Sequence, residues 1–255
     1  MVTMKSISSF VKYLFPCLLF LLGTFFPFHA EGAMFLRDRL QSAEVGDYIV
    51  TAIDKTYTAL IVKEKSENSI SIEEITIPAA RLQYNNQQWR GWKQWVQNGA
   101  PGNTSWVVYT IDKSSGEMRN IFSYTKNSWC HMSEENNFLS KLLNLRMMKI
   151  PQRELKKVGP PPTEAVHDNR RLWAPKMVFE GNVVRDATFE AWRTRWPKDS
   201  TDLSGKLIIV YVPQDSHKYP AYFPYWLEIH GMLGKAKVRI IDSGRELASP
   251  RPLPR

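Results

Sequence analysis

The chain has 255 residues, a formal net charge of +9 and 43% hydrophobic residues, and it contains two cysteines. That length buries a sizeable core, as one domain or two small ones, without covalent staples. Composition and order exclude an internal repeat, a low-complexity block and a disulfide framework.

The first residues carry Lys5 and Lys12 and no acid, followed by an apolar run from Tyr13 to Phe28 and small residues at Ala30, Gly32 and Ala33. A basic start, a short apolar core and a small-residue exit are the parts of a secretory signal peptide, here residues 1–32. Ala30-Glu31-Gly32 places the cut before Ala33, and a cut after Ala30 is the alternative. The run is shorter than the about 20 residues of a spanning helix, and it contains Pro16 and Pro27. An uncleaved anchor and a buried helix remain as other readings. Cys17 lies in the apolar core without the small neighbours that a lipid-modified cysteine requires. Cleavage leaves Cys130 as the mature thiol, expected to be buried and free, and a mature charge of about +8. An exported chain is not expected to meet nucleic acid. The charge, with local clusters at Arg153–Lys157 and Arg193–Lys198, suits a soluble basic surface, acidic lipid headgroups or acidic proteins.

Along the mature chain, Met34–Ala43 is expected as a short amphipathic helix with Phe35, Leu36 and Leu40 on one face. Tyr48–Ile53 and Thr56–Val62, split by Asp54-Lys55, predict a hairpin. Ser69–Ile77 alternates Ile70 and Ile72, then slips by one at Glu73-Glu74 to Ile75 and Ile77, which predicts a bulge there. Trp89, Trp92 and Val96, with Trp95 beside them, recur at helical spacing, so residues 79–98 read as a helix ended by Asn98–Gly102. Trp106–Ile111 and Glu117–Thr125 form a second hairpin, and Asn137–Leu145 a short helix. Gly159–Pro162 is the most loop-like stretch and the best internal boundary, or a long connection inside one domain. Strands follow at Met177–Val184, Thr188–Trp196 (where Phe189, Trp192 and Trp196 also fit a helical stripe), Gly205–Val212, Tyr225–His230 and Lys235–Asp242. The last alternates Ala236, Val238 and Ile240 against Lys235, Lys237 and Arg239. Residues 249–255 should form an extended, mobile tail after a single domain at 33–248. The expected fold class is α+β: a curved, half-barrel-like antiparallel sheet of about nine or ten strands with two or three helices packed on it.

Chemical signatures are absent. His131, His167, His217 and His230 lack metal-site spacing, so no metal or cofactor is expected. Cys130-His131 is the one nucleophile–base pair on paper, but adjacent residues in a strand point apart. Leu203-Ser204-Gly205-Lys206 lacks the rest of a phosphate loop. The conspicuous feature is aromatic: nine tryptophans, with one cluster at Trp89, Trp92 and Trp95 and another along Tyr219–Trp226. Rigid rings suit an apolar groove or an interface, or else fill the core. Trp89, Trp92, Tyr222, Tyr225 and Trp226 are the candidate ligand-binding residues.

The layout resembles the periplasmic lipoprotein-carrier fold of LolA and LolB. The resemblance rests on the hairpin Val107–Asp112 and Ser115–Arg119, the segment Phe223–Ile229, and the following Lys237–Gly244. It lies in arrangement over most of the mature chain, without a shared motif. The tryptophan-rich helix and the Gly159–Pro162 connection depart from that pattern. The resemblance implies a periplasmic or secreted binding protein holding lipid or a lipoprotein acyl chain in an aromatic-lined concavity, with peripheral membrane contact. An envelope assembly protein that docks a protein partner through an aromatic patch is the alternative, and a hydrolase with a site visible only in geometry the second.

Overall fold

Alternating β-branched and aromatic residues pair, strand by strand, into one antiparallel sheet in the computed structural model, which describes residues 32–82, 89–130, 138–162, 168–231 and 234–254. The strands are β1 (Ala33–Phe35), β2 (Tyr48–Ile53), β3 (Thr56–Lys65), β4 (Ser69–Pro78), β5 (Ser105–Asp112), β6 (Met118–Ser123), β7 (Ser128–Cys130), β8 (Arg146–Lys149), β9 (Met177–Phe179), β10 (Asn182–Val184), β11 (Phe189–Arg195), β12 (Leu207–Pro213), β13 (Trp226–His230) and β14 (Lys235–Gly244). Twelve of them form the sheet in the order β1-β8-β11-β12-β13-β14-β2-β3-β4-β5-β6-β7, and β9 and β10 pair separately. Two meanders, β2 to β7 and β11 to β14, are thus joined where β14 pairs with β2. The sheet is not closed; β1 and β7 are its edges.

The sheet has more strands than expected because β1, β7 and β8 hold only three or four residues, too few to show a period of two. Met177–Val184 is a hairpin rather than one strand. Glu180 and Gly181 both take positive φ, 49° and 78°, as a two-residue turn between right-twisted strands requires. Phe189–Arg195 is a strand, not a helix. Helical structure among the described residues is scant: Trp92–Gln97, Phe138–Leu143 and 3₁₀ turns such as Leu36–Ser42. The last replaces the expected amphipathic helix. Leu36 and Leu40 face the core, but Phe35 belongs to β1 and lies under the Arg37 guanidinium.

The Phe138–Leu143 helix shows how the sheet is shaped. The Ser140 hydroxyl accepts from the Met118 amide at the β5–β6 turn, and the Asn144 amide nitrogen donates to the Ser115 carbonyl there. At the helix's other side, Lys141 pairs with Asp199 and Phe138 stacks on Trp196, both at the β11–β12 turn. Six strand spacings separate β12 from β5, roughly 29 Å if flat, whereas six helical residues span about 9 Å. Both turns reach this short helix because the sheet bends around it.

On the concave side lies the larger core, with Ile49, Leu60, Ile70, Ile72, Tyr109, Val210, Val212 and Leu227 from the strands, Leu142 and Leu143 from the helix, and Tyr219, Tyr222 and Tyr225 from the β12–β13 connection. A second core covers the other face of β2 to β5: Tyr48, Val50, Ala59, Ile61, Ile75, Ile77 and Trp106 pack with Trp92, Trp95 and Val96. Burial on both faces accounts for β4. Its pairing with β5 runs unbroken from Ser69 to Thr76, so the expected bulge at Glu73-Glu74 does not occur; the register shift falls on β3, between Val62 and Glu64. Ile70 and Ile72 serve the concave core while Ile75 and Ile77 serve the convex one.

Ala33–Arg255 forms one compact unit. The Gly159–Pro162 stretch is an exposed connection within it, because Lys157 bridges back to Leu172 and the Val158 amide donates to the Arg171 carbonyl. Cys130 is half-buried on edge strand β7 rather than fully buried.

Candidate functional site

The convex core carries a pocket. Gly91, at φ 100°, precedes Trp92–Gln97, which forms less than two helical turns. Trp92 is buried, with its ring edge-on to Trp89 at 5.2 Å and to Trp95 at 5.5 Å. Trp95 is anchored by its indole N–H, which donates to the Pro101 carbonyl at 3.1 Å. Gly102, at φ 83°, lets its backbone approach the Arg81 carbonyl; a Cβ would stand 3.2 Å from that oxygen. The resulting pocket of about 310 Å³ is lined by Leu82, Trp89, Trp95, Pro101 and the glycines, with Arg81, Arg90, Gln94 and Asn98 as its polar part. Its volume is at the lower end of small-molecule sites. Arg81 and Arg90 are exposed, and neither forms an ion pair among the described residues. Residues 83–88, which join Leu82 to Trp89, lie outside the described residues.

The five residues expected to bind ligand do not converge. Trp89 lines the pocket, whereas Trp92 does not line it and is buried in the convex core. Tyr222 and Tyr225 belong to the concave core, 4% and 0% exposed, with their hydroxyls donating to the Leu60 carbonyl and the Ser243 hydroxyl, each at 2.8 Å. Tyr219, Tyr222 and Tyr225 recur every three residues around Pro220 and Pro224, and all three turn inward. The chain's own rings thus occupy the concavity that was expected to hold a ligand. Trp226 lies on the convex face of the second meander, edge-on to Trp173 at 5.1 Å and with Lys237 over its ring at 5.7 Å. His217 is exposed, and His230 stands 3.5 Å from Glu228. His131 and His167 lie outside the described residues. No group of three or more potential metal ligands occurs among the described residues.

Sequence reasoning missed the acids of β4. Glu73 and Glu74 face opposite sides of the sheet, and each reaches a diagonal neighbour on β5. The Glu73 carboxylate, fully buried, accepts from the Trp106 indole at 2.7 Å, with Lys63 at 3.8 Å. Glu74 accepts from the Tyr109 hydroxyl at 3.3 Å. Burial raises both carboxyl pKa values, and those of Asp47 and Asp242. A carboxyl with a raised folded pKa holds its proton more tightly in the native chain. Its contribution therefore favours folding at low pH and fades as pH rises from the ordinary carboxylate range through the folded pKa. Half-buried Asp112 acts in the opposite sense: the Ser114 hydroxyl and the Ser115 amide lower it to about 2, so its contribution is lost as the pH falls toward that value. The thermal midpoint is expected to peak on the acidic side of neutrality. Glu73→Gln, which keeps an oxygen for Trp106, should flatten the decline toward neutral pH; an unchanged slope in melting curves across pH would contradict this.

Comparison with known proteins gives a fold neighbour and a family. A 2.0 Å structure of the hypothetical protein CT021 from Chlamydia trachomatis superposes with a TM-score of 0.63, covering 88% of this chain and 98% of that one at 20% identity. That identity makes the likeness one of fold. No curated protein matches. The model of a family described as "CT021 protein" matches residues 58–185, from β3 through the tryptophan pocket to β10. That span is half of the chain, so the chain belongs to the CT021 protein family.

Proposed function

We propose that this is an exported envelope protein that binds, rather than transforms, a small anionic amphiphile in the tryptophan pocket. The observation that carries the reading is the pairing of apolar walls, Leu82, Trp89, Trp95 and Pro101, with two arginines that have no acidic partner among the described residues. An apolar group would lie against the rings, and an anionic end would meet Arg81 and Arg90. The pocket suits a medium-length acyl chain or an apolar terminus bearing a carboxylate or phosphate. Export rests on the sequence of residues 1–32, a basic start, an apolar run and a small-residue exit. The carrier-like part of the reading rests on the layout of the sequence and on a bent, open sheet with a short helix on its concave face. The reading differs from a carrier in placing the ligand on the convex face.

Titration with decanoate and with decanol, read by tryptophan fluorescence, tests the reading. Decanoate is expected to saturate and decanol to bind more weakly. The paired substitution Arg81→Ala and Arg90→Ala should weaken decanoate by about tenfold, equivalent to 1.4 kcal/mol, with decanol little changed. Absence of saturation by decanoate would overturn it.

A further inference from the structure

On the convex face, beside the pocket but separate from it, the segment Ser249–Pro254 lies across β3, β5 and β6. It carries Pro250, Pro252 and Pro254, so three of its residues have no backbone N–H and cannot extend a strand ladder. The contacts are instead made to its carbonyls and to one arginine. Lys63 donates to the carbonyls of Ser249, at 3.3 Å, and Arg251. The Tyr124 hydroxyl donates to the Pro252 carbonyl at 2.6 Å. The Arg251 guanidinium lies over the Trp106 ring at 5.0 Å and the Tyr124 ring at 5.8 Å. Beneath Trp106 is the buried Glu73 carboxylate, and Phe122 supports Tyr124 edge-on at 5.3 Å. Aromatic walls with side-chain donors aimed at the carbonyls of a proline-spaced chain are the means by which grooves recognise extended proline-rich peptides.

We propose that Lys63, Trp106 and Tyr124 form a recognition groove for proline-rich, arginine-bearing peptide segments, held shut in cis by Ser249–Pro254. The in-cis occupant is poised for displacement. Pro250, Arg251 and Pro252 remain exposed to solvent, and the segment's contacts are surface hydrogen bonds and ring stacking rather than burial of a large side chain. The ligand in trans is a protein segment with arginine between two prolines, because the groove supplies one cation-accepting aromatic pair, Trp106 and Tyr124, together with two side chains, Lys63 and Tyr124, that donate to backbone carbonyls. This inference does not depend on the tryptophan pocket.

The test is fluorescence polarisation with a labelled peptide of sequence Ser-Pro-Arg-Pro-Leu-Pro-Arg, using the full chain. Intact protein should bind it weakly. Protein carrying Arg251→Ala and Pro252→Ala, which loosens the in-cis segment, should bind about tenfold more tightly. Adding Tyr124→Phe to that variant removes only the hydroxyl donor and should reverse the gain; a peptide with alanine at its third position should bind as weakly as to intact protein. Melting curves confirm that each variant is folded. Failure of the folded, loosened variant to bind the peptide, or binding indifferent to Tyr124→Phe and to the peptide's arginine, would overturn the proposal.

Discussion

Trp106→Ala is expected to lower the stability of the folded chain by about 3–5 kcal/mol, the range for emptying the site of a large buried aromatic. Trp106 is 2% exposed and packs in the convex core with Ile75, Ile77 and Trp95. Two losses coincide in this substitution. The cavity forfeits the packing of an indole, and the Glu73 carboxylate loses its donor while remaining buried. An unpaired buried acid carries its own desolvation cost. Trp106→Phe separates the two, since it keeps most of the apolar volume while removing the N–H donor. Denaturant unfolding of the wild type and both variants provides the comparison. The alanine variant should lose clearly more than the phenylalanine variant, and Glu73→Gln should recover part of the loss in either background. A Trp106→Ala cost below about 1 kcal/mol would indicate that the convex core is not packed as described.

Gly244→Ala is the second large effect, and its cause is the opposite one. Gly244 pairs with Tyr48 at the junction of the two meanders. A Cβ there would stand 2.5 Å from a Tyr48 ring carbon and 2.6 Å from its hydroxyl oxygen. Tyr48 is itself 2% exposed and cannot swing away. Overpacking of this kind costs about 1–3 kcal/mol, and here it falls on the one pairing that makes a single sheet of two meanders. The expected result is a lower denaturation midpoint for Gly244→Ala and a much smaller additional loss when Tyr48→Leu is already present. A double-mutant cycle measures this coupling, expected to exceed about 1 kcal/mol. Additive losses would show that the ring and the glycine do not meet.

The long strands were legible because their inward residues alternate and their turns carry Asp54-Lys55 or Asp112–Gly116. β4 was harder to read for a physical reason. A strand covered on one face slips its alternation only through a bulge, whereas one covered on both faces can move its apolar residues from side to side without leaving register. Glu73 and Glu74 mark that crossover, and their aromatic partners, Trp106 and Tyr109, lie on the next strand of the sheet. The aromatic run at Tyr219–Trp226 misled in a related way. Neighbouring rings in a strand point apart, but this connection is not a strand, and a spacing of three turned three tyrosines into the core. The tail, expected to be extended and mobile, keeps its carbonyls as acceptors although its prolines lack an N–H: Lys63 uses those of Ser249 and Arg251, and Tyr124 that of Pro252. The tryptophan stripe was legible as a cluster. Its pocket was not, because Leu82 and Pro101 are brought to it by the fold and nothing in their local sequence announces a wall.

The claim that the ligand site lies on the convex face, and not within the bent sheet, is tested most directly by a crystal grown with 11-bromoundecanoate and measured at the bromine edge. The account predicts anomalous density between Trp89 and Trp95, with the carboxylate toward Arg81 and Arg90. Bromine located instead among Tyr219, Tyr222 and Tyr225, with those rings displaced, would contradict it and return the site to the concavity.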